Sequence, residues 1–203
     1  MHARLIGELL DTVSKAVINH AEELTALDQA IGDGDHGINM TRGFEAVQAA
    51  REDLTGKPLN EALQAAGMQL VMRVGGASGP LYGTLLMTLG KQLGPHPPDR
   101  RALATAFASA VAAVQARGKS RAGQKTLLDV LIPLQEALSR EESIARLREI
   151  VAEAVSATRD MRATRGRASF LGERSVGHID PGARSSQLMF EAVVAVLEAH
   201  HDS

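Results

Sequence analysis

Three aspartates near the start of the chain have the types and spacing of a metal site. Asp33 and Asp35 lie in the glycine-rich stretch GDGDHG at residues 32–37, and Asp28 precedes them at the expected end of a helix. Neighbouring carboxylates repel one another and raise one another's pKa unless a cation neutralises them. Oxygen ligands suit a hard cation such as Mg²⁺, and the chain contains no cysteine. We therefore expect these aspartates to hold Mg²⁺.

A surface turn and a calcium loop are the alternatives to a magnesium site. Asp and Gly are common turn residues, so a lone DGD would indicate a turn. The third acid and the phosphate-type features of other loops favour a metal. An EF-hand is excluded, because the loop lacks the regular ligand spacing and the Glu at its twelfth position. His36 either contacts phosphate or nucleotide or is a hydrogen-bonded loop histidine, and taken alone it fits the second role better.

The stretch GGASGPLYGT at residues 75–84 has the composition of an anion-binding turn. Gly75, Gly76 and Gly79 expose backbone N–H groups, and Ser78 can cap the helix that follows while its hydroxyl reaches a phosphate. The stretch is neither a Walker A motif nor a dinucleotide fingerprint. A glycine-rich helix cap without a ligand is an equal alternative.

Two later stretches add cations and a helix start. RGKSRAGQKTLLD contains lysines, and loop lysines are usually just solvated. GRASFLGERSVGHIDPGA contains Arg167 and Arg174, and arginine can bind phosphate through two parallel hydrogen bonds. The residues 180–182 begin the last helix, where capping alone would explain them.

Composition and charge narrow the class of protein. The chain has 203 residues, 44% of them hydrophobic, which is enough for one domain with a sizeable core. Aromatic residues make up only 2%, which favours helix over sheet. The formal net charge of −2 argues against a nucleic-acid binder. No apolar run reaches the ~20 residues that span a bilayer and no signal peptide is evident, so we expect a cytoplasmic protein without a membrane partner.

Apolar periodicity predicts eight amphipathic helices and no strand. The apolar positions fall within residues 5–24, 40–47, 59–70, 81–93, 103–114, 127–138, 144–161 and 189–197. The breaker PHPPD at residues 95–99 separates the fourth helix from the fifth. Pro58 suits the first turn of the third helix, and Pro133 should kink the sixth or lie in its first turns. Ser139 and Glu142 have capping-box spacing for the seventh helix, and Asp180 with Pro181 starts the eighth.

The order of helices and loops predicts where the polar residues meet. The short connections imply one all-α, single-domain bundle of antiparallel neighbours. The four glycine-rich polar stretches follow the first, third, fifth and seventh helices, so they should converge at one mouth of the bundle. Acids, glycines, a helix-start serine and arginines at one mouth suit a Mg²⁺–nucleotide site.

The stretches LDQAIGDGDHGINMTRGF, GGASGPLYGT, KTLLDVLIPL and GRASFLGERSVGHIDPGA together resemble the L-subunit family of dihydroxyacetone kinases, the nucleotide-binding component of these enzymes. The likeness runs from near the start of the chain to about Ala195. It implies a single-domain barrel of eight antiparallel amphipathic helices over residues 1–203, with the nucleotide at one end.

The resemblance also implies a set of site residues. Two Mg²⁺ ions would bridge the diphosphate of ADP or ATP, held by Asp28, Asp33 and Asp35. The implied nucleotide contacts are His36, Gly37, Ile38, Asn39, Ala77, Ser78, Gly118, Leu127, Arg167, Asp180, Pro181 and Gly182. No catalytic nucleophile or general base is expected on this chain, because the partner subunits supply them.

The partners implied by the resemblance are two further subunits. A K subunit binds dihydroxyacetone covalently through a histidine, and a phosphohistidine on an M subunit rephosphorylates bound ADP in place. No fused K domain is present, which favours this phosphoenolpyruvate-dependent type over an ATP-dependent one. Three alternatives stay open: a related short keto-sugar as the substrate, a non-catalytic nucleotide-binding regulator of a partner such as a transcription factor, and a homodimer.

Overall fold

The computed structural model describes residues 2–95 and 98–201, and the regular structure in these residues is entirely helical. The ten α-helices in them are α1 (His2–Asn19), α2 (Ala21–Ile31), α3 (His36–Ala49), α4 (Arg51–Thr55), α5 (Leu59–Arg73), α6 (Ser78–Gln92), α7 (Arg100–Gly118), α8 (Leu128–Ser139), α9 (Ile144–Ala157) and α10 (Pro181–His201). Two 3₁₀ segments, Thr158–Asp160 and Arg167–Ser175, lie between α9 and α10. The all-α prediction is confirmed. None of the helices in the described ranges is long and apolar enough to cross a membrane.

The predicted number of eight helices is wrong, because the first predicted helix is broken in two and a short extra helix, α4, follows the second. His20 separates α1 from α2 with φ −105° and ψ 16°. Its ring Nδ1 lies 2.7 Å from the Ala16 carbonyl oxygen, while its backbone N–H bonds Val17 instead. The side chain thus takes the acceptor that an unbroken helix would use for the backbone. Ala50, with φ −89° and ψ 5°, separates α3 from the short α4.

The helix ends confirm one predicted cap and correct another. Asp180 caps α10, since its Oδ2 accepts a hydrogen bond from Ala183 N at 2.7 Å and the helix begins at Pro181. The predicted capping box at Ser139 is wrong, because Ser139 is the last residue of α8. Ser143 caps α9 through Arg146 N. Of the predicted breaker PHPPD, His96 and Pro97 lie outside the described residues.

Eight of the ten helices contact one another in a closed ring. The order around the ring is α1, α3, α5, α6, α7, α8, α9, α10 and back to α1. Glycines allow the closest of these contacts: a Cβ on Gly67 of α5 would lie 2.9 Å from the Gly83 carbonyl oxygen of α6. Pro133 lies inside α8. The ring leaves the polar connections free to meet at its end.

Apolar side chains fill the space inside the ring. The larger cluster includes Val17, Leu24, Met40, Leu70 and Val114, all buried. A second cluster joins α8, α9 and the start of α10. Burial of such side chains stabilises a fold by about 1.5–3 kcal/mol each, and aromatic residues contribute little to that sum here.

Candidate metal and nucleotide site

The three predicted metal ligands lie together at one end of the ring. Asp28 is in the last turn of α2, and Asp33 and Asp35 lie in the connection to α3. One carboxylate oxygen from each can be chosen so that all three lie within 4.8 Å of one another. Asp28 is buried, and its Oδ2 accepts hydrogen bonds from the backbone N–H groups of Asp35 at 2.8 Å and His36 at 3.1 Å. The Asp28 carboxylate therefore shapes the loop as well as facing the cluster.

The electrostatics of the cluster favour a bound cation. Partial burial raises the pKa of Asp35 above its ordinary value, and the charges of Asp33 and Asp28 raise it further, against a hydrogen bond from Asn39. A divalent cation among these oxygens would remove that repulsion, and an all-oxygen donor set suits Mg²⁺. Arg167 supplies part of the neutralisation, with its Nε 3.2 Å from Asp33 Oδ2.

His36 is turned into the protein interior. It is buried, and its Nδ1 lies 3.1 Å from Ser78 Oγ while its Nε2 lies 3.0 Å from Ser185 Oγ. Burial lowers the pKa of His36 to about 4, against the charge of Asp28, so that the ring is neutral near pH 7. The ring nitrogens are engaged with serines, and only the backbone of His36 faces the acidic loop. The His36 side chain therefore matches the second of its two predicted roles, that of a hydrogen-bonded histidine.

Ser78 has a different role from the predicted helix cap. The N-cap position of α6 is Ala77, and no side-chain capping bond is made there. Ser78 is the first residue of α6 and its hydroxyl meets the His36 ring. The N-cap prediction for Ser78 is therefore wrong, because the turn begins one residue earlier than the glycine pattern suggests.

The glycines of the site serve helix packing as well as loop shape. A Cβ on Gly37 would lie 2.0 Å from the Ala21 carbonyl oxygen, so Gly37 lets the start of α3 rest on α2. A Cβ on Gly75 would lie 2.6 Å from Asn39 Oδ1. Only Gly34 (φ 75°) and Gly76 (φ 64°) among the glycines of the first two polar stretches have left-handed backbone.

The remaining predicted nucleotide contacts lie on α3, at the end of α7 and at the starts of α8 and α10. Gly118 ends α7, and a Cβ there would approach Leu81 of α6 at 3.3 Å. Leu127 is buried at the N-cap of α8, beside Gly182. Ile38 is the exposed member of the first turn of α3.

Asp180 is also buried, and this burial raises its pKa to about 7. The charge of Asp129 raises the pKa of Asp180 too, while the Ala183 N–H and Lys125 lower it.

Lys125 is a structural residue that the sequence interpretation missed. It is 1% exposed, and the three N–H donors of its Nζ lie within hydrogen-bonding distance of four carbonyl oxygens, those of Thr158 (2.8 Å), Met161 (3.2 Å), Ser175 (2.7 Å) and His178 (2.6 Å). Burial lowers its pKa, although Asp180 opposes the shift. The ammonium group thus fastens the long α9–α10 connection to the α7–α8 loop. Its one signal in the sequence is its position directly before the apolar run TLLDVLIPL.

The contacts bring the four polar stretches together, as loop parity predicts. The first stretch meets the second through His36 and Ser78, and meets the fourth through Asp33 and Arg167. The third meets the fourth through Lys125, whose Nζ donates to the carbonyl oxygens of Ser175 and His178. The acidic triad thus lies at the start of α3, whose His36 contacts Ser78 of α6 and Ser185 of α10, and helix N-terminal turns of this kind suit a bound anion.

This fold and site define an all-helical domain with a cluster of three aspartates at one end that could hold a metal ion. Residues 30–195 match the DAK2 domain, and the chain belongs to this family. It is 43% identical over 185 residues to the PEP-dependent dihydroxyacetone kinase 1, ADP-binding subunit DhaL, of Listeria innocua, covering 91% of this chain and 92% of the relative.

Two further similarities extend to longer proteins. The D-erythrulose kinase of Mycolicibacterium smegmatis is 37% identical over 202 residues, covering 94% of this chain and 35% of that protein. The crystal structure of the dihydroxyacetone kinase from C. freundii in complex with AMP-PNP and Mg²⁺ has a TM-score of 0.74 and 21% identity, covering 95% of this chain and 34% of that one. The chain therefore spans about a third of each, and the structural likeness shows the same fold.

Proposed function

We propose that this chain is the ADP-binding, phosphoryl-transfer subunit of a dihydroxyacetone kinase. The observation that carries the proposal is the group of three carboxylates at the start of α3, with oxygens within 4.8 Å of one another. The name of the Listeria innocua relative, an ADP-binding subunit of a PEP-dependent dihydroxyacetone kinase, supports it. The nucleotide analogue and Mg²⁺ named in the C. freundii complex support the same ligands.

Each group of site residues has a role in this proposal. Asp28, Asp33 and Asp35 would hold two Mg²⁺ ions, which supply charge neutralisation for the diphosphate when bound. The first turns of α3, α6 and α10 direct backbone N–H groups and positive dipole ends at the anion. The proposed nucleotide contacts are His36, Gly37, Ile38, Asn39, Ala77, Ser78, Gly118, Leu127, Arg167, Asp180, Pro181 and Gly182.

The chain itself needs no nucleophile for this reaction. Phosphoryl transfer depends on positioning and charge neutralisation more than on covalent chemistry from the protein. In the proposed cycle a phosphohistidine on an M subunit phosphorylates bound ADP, and the phosphoryl group passes to dihydroxyacetone on a K subunit. The product is dihydroxyacetone phosphate, and ADP stays on this chain. The cytoplasmic location and the single domain over residues 1–203 belong to the same proposal.

A related short keto-sugar is the second candidate substrate. The similarity to a D-erythrulose kinase favours it, since 94% of this chain aligns with part of that enzyme. The K partner would hold the sugar, so the difference between the two substrates lies outside this chain. A homodimer and a regulatory contact with a transcription factor are compatible with the site and have no specific support in it.

Reconstitution tests the proposed function. The purified chain is first assayed for bound ADP, then combined with a K subunit, dihydroxyacetone and either ATP or a phosphoenolpyruvate-driven donor chain. We expect dihydroxyacetone phosphate with the donor chain. Turnover with ATP but not with the donor chain would contradict the phosphotransferase assignment, and no product with either donor would contradict the kinase itself. D-erythrulose in place of dihydroxyacetone distinguishes the two substrates.

A further inference from the structure

A chain of buried and part-buried hydrogen bonds joins the starts of α3, α6 and α10. Ser78 Oγ lies 3.1 Å from His36 Nδ1, and His36 Nε2 lies 3.0 Å from Ser185 Oγ. Ser185 Oγ in turn lies 2.7 Å from the hydroxyl of Tyr82, which donates to the Gly182 carbonyl oxygen at 2.9 Å. His36, Ser78 and Gly182 are all proposed nucleotide contacts. The chain of bonds therefore connects opposite sides of the proposed site beneath its surface.

Tyr82 is the central member of this chain. It is 2% exposed and is the only tyrosine in the sequence. Its hydroxyl lies within hydrogen-bonding distance of Ser185 Oγ, Ser186 Oγ (2.9 Å) and the Gly182 carbonyl oxygen, so these partners all belong to the first turns of α10. A buried hydroxyl group needs fewer hydrogen bonds than these three to be satisfied. The contacts with α10 therefore also fix the position of the Tyr82 hydroxyl.

Counting donors and acceptors shows why the connection reaches His36. Tyr82, Ser185 and Ser186 each lie within reach of the Gly182 carbonyl oxygen, which has two lone pairs. At most two of the three hydroxyl protons can be accepted there, so the third is donated to another hydroxyl or to His36 Nε2. Because burial raises the pKa of Tyr82, its hydroxyl keeps its proton and remains a donor. The bonds thus form one coupled set.

The geometry of α6 explains how its first turns can reach two helices. Ser78 and Tyr82 are four residues apart, so they lie on the same face of α6 one turn apart. Ser78 meets α3 through His36, and Tyr82 meets α10 through Gly182 and Ser185. The first turn of α6 is thereby fixed against both other helices. A small shift of one helix start would change the position of the N–H groups that the other two present.

We propose that Tyr82 is a positioning residue of the nucleotide site, whose hydroxyl fixes the starts of α3, α6 and α10 relative to one another. The inference rests on the proposed function, because it assigns Tyr82 to that same site. Tyr82 does not touch the nucleotide in this proposal. It acts through His36 and Gly182.

The test is the Tyr82→Phe variant, which removes the hydroxyl and keeps the ring. We expect the dissociation constant for ADP in Mg²⁺ buffer, measured by calorimetry, to rise roughly tenfold, in line with the loss of a buried hydrogen-bonding group. At saturating protein, the ³¹P resonances of bound ADP should shift. A purely structural residue would lower thermal stability without moving the ³¹P resonances of the saturated complex.

Two more variants complete the experiment. Ser185→Ala breaks the same connection between Tyr82 and His36 and should reproduce the ³¹P shift. Ser14→Ala is the matched control: Ser14 is fully buried on α1, and within the described residues its hydroxyl has no hydrogen-bond partner. It should bind Mg²⁺–ADP like the wild type. Unchanged affinity and unchanged ³¹P resonances in both Tyr82→Phe and Ser185→Ala would overturn the inference.

Failure of the proposed function would be seen separately. If the wild type binds no Mg²⁺–ADP, the function is contradicted and the positioning role is judged by amide hydrogen exchange alone. Faster exchange at residues 36–39 and 182–186 in Tyr82→Phe, but not in Ser14→Ala, would then support the coupling of the helix starts. Unchanged exchange at both segments would overturn it.

Discussion

The guanidinium of Arg167 lies 3.2 Å from the carboxylate of Asp33, so a proposed nucleotide contact binds a proposed magnesium ligand directly. The two side chains are 73% and 40% exposed, and exposed ion pairs contribute little to stability. Mg²⁺ and Arg167 would compete for the same carboxylate. Binding of metal would therefore release the guanidinium towards the phosphates of the nucleotide.

Replacing Arg167 with Gln separates affinity from stability. The free energy of unfolding should change by less than about 0.5 kcal/mol, because the lost ion pair is exposed. The dissociation constant for Mg²⁺–ADP should rise roughly tenfold, because a charged hydrogen-bond donor to phosphate is lost. Chemical denaturation and calorimetry measure the two quantities.

Arg162→Gln is the control for this change. Arg162 forms a comparable exposed ion pair with Glu173, at 3.0 Å, outside the proposed site. It should match the wild type in both measurements. Equal loss of affinity in the two variants, or none in either, would contradict a nucleotide role for Arg167.

Replacing Lys125 with Met should loosen the α9–α10 connection. The methionine side chain fills a similar volume but leaves the carbonyl groups of Thr158, Met161, Ser175 and His178 without their common donor. Unsatisfied buried groups cost about 1–3 kcal/mol each, so we expect a loss of roughly 3 kcal/mol or more. Hydrogen exchange should rise first at residues 158–178.

Lys57→Met provides the comparison for Lys125. Lys57, on the turn after α4, pairs with the exposed Asp53 of α4. Its replacement should alter the free energy of unfolding by only a few tenths of a kcal/mol. If Lys125→Met were as mild as Lys57→Met, the proposed fastening of the long connection would be wrong.

Replacing Asp180 with Asn should change how stability depends on pH. Burial raises the pKa of Asp180 to about 7 from an ordinary value of 3.8. Between these two pH values, the folded chain therefore keeps a proton on Asp180 that the unfolded chain has lost. The wild type should therefore lose stability relative to Asp180→Asn as pH rises from about 4 to about 7, by up to about 1.4 kcal/mol per pH unit. Asn retains the capping oxygen for Ala183.

The measurement is the difference in free energy of unfolding between the two proteins across that pH range. Above about pH 7 the difference should become constant, since Asp180 is then ionised in both states. A difference that is flat between pH 4 and pH 7, or that favours the wild type as pH rises, would contradict a buried protonated Asp180.

Features that depend on local sequence were predictable. The acidic triad is predictable because its members lie within eight residues of one another, and the helix start at Asp180–Pro181 is predictable because a cap and a first-turn proline are neighbours in the chain. The joining of the four polar stretches followed from loop parity. Each of these needs only the chain order and the rules of helix ends.

Features set by contacts between distant residues were not predictable. The sequence places Lys125 in a polar loop, and only the fold brings carbonyl groups from residues 158–178 around its ammonium group. The local sequence predicts a cap at Ser78, because His36, the partner that engages its hydroxyl, lies on another helix. The break at His20 was hidden because the apolar period continues across it, while a side-chain bond to Ala16 ends the helix.

The central claim is that the three aspartates bind the nucleotide through Mg²⁺, and a calorimetric titration of ADP into wild type and Asp33→Asn tests it most directly. Asp33→Asn removes one charge from the cluster, and Asp53→Asn removes a charge from an exposed surface pair outside it. We predict that wild type and Asp53→Asn bind ADP tightly in Mg²⁺ and lose most of that affinity when the metal is chelated. Asp33→Asn should bind at least roughly tenfold more weakly in Mg²⁺. Equal affinity of Asp33→Asn and wild type in Mg²⁺, with no effect of chelation on either, would contradict the account.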